Sequence, residues 1–235
     1  MARRVLIITP TYNEKDNLET FLSLVFGVAP SVDVLVVDDN SPDGTGALAD
    51  EISAKDPRVK VMHRPGKMGL GTAYLTGFRR ALEDNYDVVF EMDTDLSHDP
   101  KYIPDFLRAI DEGADLVIPG GGVEGWGVGR HLLSKGGSLY SRTILGLSVR
   151  DLTSGYKAFT RRGLEAIELD RVQSNGYSFQ IELTYRVLLK GLRVTEVPIV
   201  FVDRRAGQSK MSQKIFAEAI GMVWKLRAAA IMGRL

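Results

Sequence analysis

A chain of 235 residues, 44% hydrophobic and 26% charged, with no low-complexity segment, is no disordered polymer and is long enough for one α/β domain with a substantial core. Thirty basic and thirty acidic side chains cancel, so no overall field draws it to nucleic acid or to an acidic membrane, and any such attraction is local. Cysteine is absent, which excludes disulfides and thiolate metal sites and fits a reducing, cytoplasmic compartment.

In chain order, short apolar runs alternate with helix-length amphipathic segments. "RVLIIT" (4–9) reads as the first strand, and "EKDNLETFLSLVF" after it places Leu18, Phe21, Leu22 and Val25 on one helical face. "VDVLVVDD" (32–39) and "RVKVM" (58–62) are the next strands. "GTAYLTGFRRALED" is a packing helix with Ala73, Leu75, Phe78 and Leu82 along one side, followed by strands "YDVVFEMD" (86–93) and "ADLVI" (114–118). This rhythm predicts an α/β, Rossmann-like fold with a mostly parallel central sheet and helices on both faces. Beyond residue 118 come a glycine-rich connection "PGGGVEGWGVG" (119–129), a helix near 131–146, an irregular stretch through "RDLTSGYKAF", a helix near 178–190 and a strand "RVTEVPIVFV" (193–202). No linker separates the halves, so 1–235 reads as a single domain in which 119–208 completes what 1–118 begins. Residues 209–235 form a terminal amphipathic helix with Ile215, Ala219, Met222, Val223, Leu226 and Ala230 on one side and Lys214, Lys225 and Arg227 on the remainder. No apolar run approaches the roughly 18–20 residues needed to cross a bilayer, and "MARRVLIITP" lacks a signal peptide's apolar core.

Ligands of open parallel sheets bind outside the carboxyl ends of the strands. Three polar clusters stand at such ends, "PTYNE", "DDNSPDGT" and "DTDLSHD", and are expected to face one crevice. Asp93 and Asp95, spaced i, i+2 as the chain leaves a strand, suit one hard cation that completes its shell with substrate phosphates. The competing reading is an ordinary acidic strand-exit turn. A receiver-type phospho-acceptor at Asp38 and Asp39 lacks the acidic cluster it needs after the first strand. "DTDLS" approximates the haloacid-dehalogenase pattern, but that nucleophile normally follows a first strand rather than a fourth. "PGKMGLGTA" (65–73) reads as a turn plus a helix N-terminus able to face phosphate, and the missing G-x-G-x-x-G argues against nicotinamide or flavin. "DRRAGQSKMS" (203–212) carries Arg204, Arg205 and Lys210, either a solvated face or a grip on anionic oxygens.

Together, "IITPTYNEKDNL", "VLVVDDNSPDGT", "GLGTAYLTGF", "EMDTDLSHDP", "DLTSGYKAF", "GYSFQIEL" and "DRRAGQSKMS" resemble the polyprenol-phosphate (dolichyl-phosphate) mannose synthases, within the family 2 glycosyltransferases of GT-A fold. The resemblance spans nearly the whole chain and implies inverting transfer of mannose from GDP-mannose to a polyprenyl monophosphate. It implies a nucleotide-sugar half at 1–118 and an acceptor side at 119–208. Nucleotide contacts fall on Pro10, Tyr12, Glu14, Val37 and Asp39; metal (Mg2+ or Mn2+) and diphosphate contacts fall on Asp93, Thr94 and Asp95. Ser97 stands where some relatives supply a glutamine ligand and is the expected third metal donor. The family's phosphate-binding positions fall on Arg130, Ser134, Arg204 and Lys210. One departure is that "ADLVI" passes straight to "PGGG", where relatives carry G-S-R-Y-V with an arginine near a phosphate; the resemblance then implies either weakened activity or another basic residue, such as Arg130, in that role.

A lipid acceptor requires peripheral contact with the cytoplasmic face of a membrane, either through the terminal helix or through a separate membrane-anchoring protein. The terminal helix equally reads as packed on the domain. Three other functions compete: a family 2 transferase using another donor such as UDP-glucose, a magnesium-dependent phosphatase, and a non-catalytic nucleotide-sugar-binding subunit.

Overall fold

Strand β1 (Val5–Thr11) shows how this chain builds a sheet buried on both faces. Leu6 and Ile8 belong to one apolar cluster and Val5 and Ile7 to the other, because alternate side chains of a pleated strand point to opposite sides. The same division runs through β2 (Asp33–Asp38), β4 (Val88–Glu91) and β5 (Leu116–Pro119), which explains their unbroken apolar runs. A computed structural model describes residues 3–120, 123–124, 136, 139–147, 149, 151–202, 213–233 and 235.

Helices cover both faces. On one side, α1 (Lys15–Val28) buries Leu18, Phe21, Leu22 and Val25 as the sequence predicts, joined by Ala49 of α2 (Thr45–Ser53). On the other, α3 (Leu70–Glu83) buries Ala73, Leu75 and Phe78, with Leu82 partly covered. Each fully buried leucine or phenylalanine stabilises the fold by roughly 1.5–3 kcal/mol. Gly77 lets α3 press on β1, since a methyl there would sit 2.7 Å from Ile8 Cγ2. Further along, α4 (Ile103–Asp111) returns to the first face, and α5 (Arg161–Ile167) and α6 (Gly176–Leu189) pack on the second.

The sheet order is β3-β2-β1-β4-β7-β5-β8, where β3 is Val59–His63, β7 is Lys157–Thr160 and β8 is Val194–Val197. Strand β7 is antiparallel to both neighbours and corrects the expected irregular stretch. Its four residues include Lys157, which breaks the apolar run by which strands were recognised, yet this lysine is fully buried. The expected strand over 193–202 divides at Pro198: β8 joins the main sheet, while β9 (Phe201–Val202) pairs with β6 (Val123–Glu124) in a second, two-stranded sheet. Proline has no N–H to continue a ladder.

Residues 139–145 are helical, within the helix expected near 131–146, and 131–135 lie outside the described residues. The terminal helix α7 (Gln213–Ile231) buries Val223 and Leu226 in the same cluster as α3 and α6, so its second half packs on the domain. Among the described residues no helix is long and apolar enough to cross a membrane.

Candidate active site

Strand β1 lies between β2 and β4, so the chain winds one way from β1 and then the other. A crevice opens at such a switch point, above the carboxyl ends. The exits of β2 and β4 are two strand spacings, about 10 Å, apart.

At the β2 exit the paired aspartates have different partners. Asp38 is buried and accepts from the Thr11 hydroxyl at 3.1 Å, the Ser41 N–H at 3.1 Å and the Ser41 hydroxyl at 2.5 Å, which fixes the following loop. Asp39 is gripped on both oxygens by the buried guanidinium of Arg64. Asn13 and Asn40, just past β1 and β2, take left-handed backbone conformations (φ 62° and 56°) that asparagine tolerates better than most residues.

The Asp93–Asp95 turn is tied down at several points. Thr94 Oγ1 lies 2.6 Å from Thr9 Oγ1, fastening the β4 exit to β1. The Asp93 N–H donates to His98 Nδ1 at 3.0 Å, and the Ser97 N–H donates to Asp95 Oδ1 at 3.1 Å. Leu96 sits at φ 62°, a strained setting for a branched side chain, and is held there by packing on the core. Tyr74 of α3 donates its hydroxyl to Asp93 Oδ1 at 3.1 Å. Burial first, and then the charges of Asp93 and Glu91, push the Tyr74 phenol well above its usual pKa, so it stays a neutral donor.

Beneath the turn, Glu91 and Lys157 are paired across β4 and β7, both fully buried. Lys157 Nζ donates to Gln180 O at 2.6 Å and Thr184 Oγ1 at 2.9 Å. Burial pushes Glu91 up to about 8 against the opposing pull of Lys157, and burial draws Lys157 down to about 8. The Gln180 amide lies close enough to Glu91 to lower its pKa without completing a hydrogen bond.

Of the sequence-predicted residues, Pro10, Tyr12, Glu14, Asp39, Asp93 and Asp95 stand at or just past the ends of β1, β2 and β4, on the same edge of the sheet. Tyr12 is partly exposed and carries the Lys67 ammonium 4.5 Å above its ring. Glu14 is the N-cap residue of α1; its side chain accepts from Asn17 Nδ2 at 2.8 Å and its N–H donates to Thr45 Oγ1 at 3.0 Å. Val37, paired between β1 and β3, and Thr94 are both buried. Ser97 sits beside Asp95 through its N–H. Arg130, Ser134, Arg204, Arg205 and Lys210 lie outside the described residues. Tyr74, hidden inside an apolar stripe, and Arg64 carry no motif that marks them in the sequence, and His98 lies within "DTDLSHD" without a role expected of it.

Residues 6–167 match the family described as glycosyl transferase family 2. A polyprenol monophosphomannose synthase of Mycolicibacterium smegmatis is 49% identical over 240 aligned positions, covering 100% of this chain and 89% of that protein. An undecaprenyl-phosphate mannosyltransferase of Micrococcus luteus is 49% identical over 232 positions, covering 97% of this chain and 95% of that protein. The chain belongs to glycosyl transferase family 2. It is therefore a glycosyltransferase, and the phosphatase and receiver readings fall.

Solved structures agree on the GT-A fold. A mannosyltransferase from Pyrobaculum calidifontis, in complex with GDP-Man and Mn2+, superposes with a TM-score of 0.61 at 18% identity, over 99% of this chain and 75% of that one. A Mycobacterium tuberculosis glucosyl-3-phosphoglycerate synthase gives 0.68 at 21% identity, over 97% and 80%. In this family member, no cluster of three or more His, Cys, Asp or Glu among the described residues could enclose a metal ion. Two carboxylates at a crevice, Asp93 and Asp95, instead suit a magnesium- or manganese-type ion that draws its remaining donors from substrate phosphates and water.

Proposed function

We propose that this glycosyltransferase moves mannose from GDP-mannose to a polyprenyl monophosphate, with inversion at the anomeric carbon. The observation that carries the proposal is the 49% identity, along the full length of this chain, with a protein named polyprenol monophosphomannose synthase. The site chemistry supports it. A phosphate monoester has a second pKa near 6, so the attacking oxygen is already ionised at neutral pH and needs no strong base. A bond forms from that oxygen to the anomeric carbon while the bond from that carbon to the diphosphate oxygen breaks, and GDP leaves.

The chain's task is to bring two anions together and to exclude water. Asp93 and Asp95, with Ser97 as a third donor, would hold a magnesium or manganese ion, which when bound supplies positive charge to the diphosphate. Tyr74 and His98 fix Asp93 in place. Asp39, with Pro10, Tyr12, Glu14 and Val37, receives the nucleotide, and Thr94 stands with Asp93 and Asp95 at its diphosphate. Arg130, Arg204 and Lys210 offset the acceptor's charge, and Ser134 offers its phosphate a hydroxyl donor. The acceptor's tail stays in lipid, which places the enzyme peripherally on the cytoplasmic face of a membrane, with or without a separate anchoring protein.

Replacing Asp95 tests the assignment. Asp95→Ala is expected to lower mannosyl transfer more than about a hundredfold, the usual scale when a metal-held charge is lost, with the thermal midpoint unchanged. Turnover near the wild-type rate would contradict it.

A further inference from the structure

Arg64 follows β3 and is 8% exposed. Its Nε donates to Asp39 Oδ1 at 2.6 Å and its Nη2 to Asp39 Oδ2 at 3.1 Å, while Nη1 donates to Thr72 Oγ1 at 3.0 Å. The Thr72 hydroxyl in turn donates to the Gly69 carbonyl at 2.8 Å, at the N-terminus of α3. One guanidinium thus joins the β2 exit, the β3 exit and the start of α3. Two residues beyond Thr72, Tyr74 reaches Asp93. A single rigid helix therefore links the group that holds Asp39 to the group that holds the metal-binding turn.

We infer that Arg64 is a positioning residue for the donor nucleotide: by gripping both oxygens of Asp39, it presents that carboxylate as a fixed, single-point acceptor and so sets nucleoside-diphosphate affinity without touching the nucleotide. The inference rests on the GDP-mannose reading and deepens it. A guanidinium fork lies in the plane of the carboxylate and occupies the lone pairs that face forward from both oxygens. The lone pairs left over point sideways, one from each oxygen. A base N–H or a ribose hydroxyl can meet one of them, but two adjacent N–H groups of a guanine edge cannot take both oxygens while the fork is in place. The pair is buried, so losing the fork leaves a charge without compensation and free to turn. Lysine keeps the charge but has no fork.

A purely structural staple would lower stability and leave affinity alone, so the test reads affinity and turnover in variants whose thermal midpoints are also measured. GDP binding is measured by calorimetry with manganese present, on the full chain, for wild type, Arg64→Lys, Asp39→Asn and the double variant. Arg64→Lys is expected to raise the Kd for GDP about tenfold and the KM for GDP-mannose in parallel, with kcat within about threefold. The double variant should bind no more weakly than the worse single one, because residues acting through one contact are not additive. Should Arg64→Lys fail to fold, Thr72→Val removes one of the fork's supports and is expected to raise the Kd about threefold. Wild-type Kd in folded Arg64→Lys or Thr72→Val, or additive effects in the double variant, would overturn the inference alone. Absence of GDP binding by the wild type would overturn it together with the functional reading beneath it.

Discussion

Asp38, Asp39 and Asp43 are the same side chain placed within six positions, and their partners give them three jobs. Asp38 builds the loop, Asp39 faces a guanidinium fork, and Asp43 closes the loop onto α2 by accepting from the Thr45 N–H, the Thr45 hydroxyl and the Lys15 N–H. Burial acts to raise the Asp43 pKa, but these donors outweigh it and hold it below the ordinary 3.8. A depressed carboxyl pKa adds stability above the unfolded-state value, and that stability disappears as pH falls through the folded-state value. Asp43→Ala is accordingly expected to cost about 1 kcal/mol at neutral pH, a figure kept low because the residue is exposed. The gap to wild type should narrow below pH 3.8, as read from urea midpoints at both pH values; an equal gap would contradict this. "DDNSPDGT" located the acidic cluster from sequence but not the division of labour, because the deciding partners Thr11 and Arg64 come from the end of β1 and from just past β3. Tyr74 was illegible for a related reason: its ring packs in the apolar stripe, and only its hydroxyl does site chemistry.

At the scale of elements, the parallel strands and α1 and α3 were plain from apolar spacing, since burial on two faces or one leaves a period in the sequence. Strand β7 left none. Its insertion between β4 and β5 depends on Lys157 finding Gln180 O and Thr184 Oγ1 on α6, a long-range satisfaction that local pattern does not encode. The turn from β7 into α5 is equally demanding: a methyl on Gly163 would lie 2.5 Å from the Asp115 carbonyl oxygen, a backbone atom that cannot swing aside. Gly27, late in α1, has nothing within 4 Å of such a methyl. The same substitution should therefore have opposite signs. Gly163→Ala is expected to destabilise by about 1–3 kcal/mol through overpacking, and Gly27→Ala to stabilise by about 0.5–1 kcal/mol through helix propensity. Denaturant unfolding of both variants checks this, and a neutral Gly163→Ala would mean that α5 can shift freely.

For the whole molecule, the proposed reaction would run at the switch point between β2 and β4, and α7 carries the exposed apolar face through which the proposed lipid contact can be tested. Val223 and Leu226 turn inward, whereas Trp224 and Ile231, two helical turns apart, and Met232 are more than half exposed beside the exposed Lys225. Deleting the helix would uncover core, so surface substitution is the cleaner probe. Trp224→Glu combined with Ile231→Glu is expected to reduce flotation with anionic lipid vesicles at least about tenfold while leaving the thermal midpoint intact; undiminished flotation would exclude this face as the contact. The central claim is the reaction itself. It is tested most directly by incubating the purified chain with radiolabelled GDP-mannose and a short polyprenyl phosphate in detergent, with and without manganese. The account predicts a manganese-dependent, lipid-linked mannose that does not form from GDP-glucose or UDP-glucose. Tight GDP-mannose binding without any lipid-linked product would contradict it and mark the chain as a binding subunit.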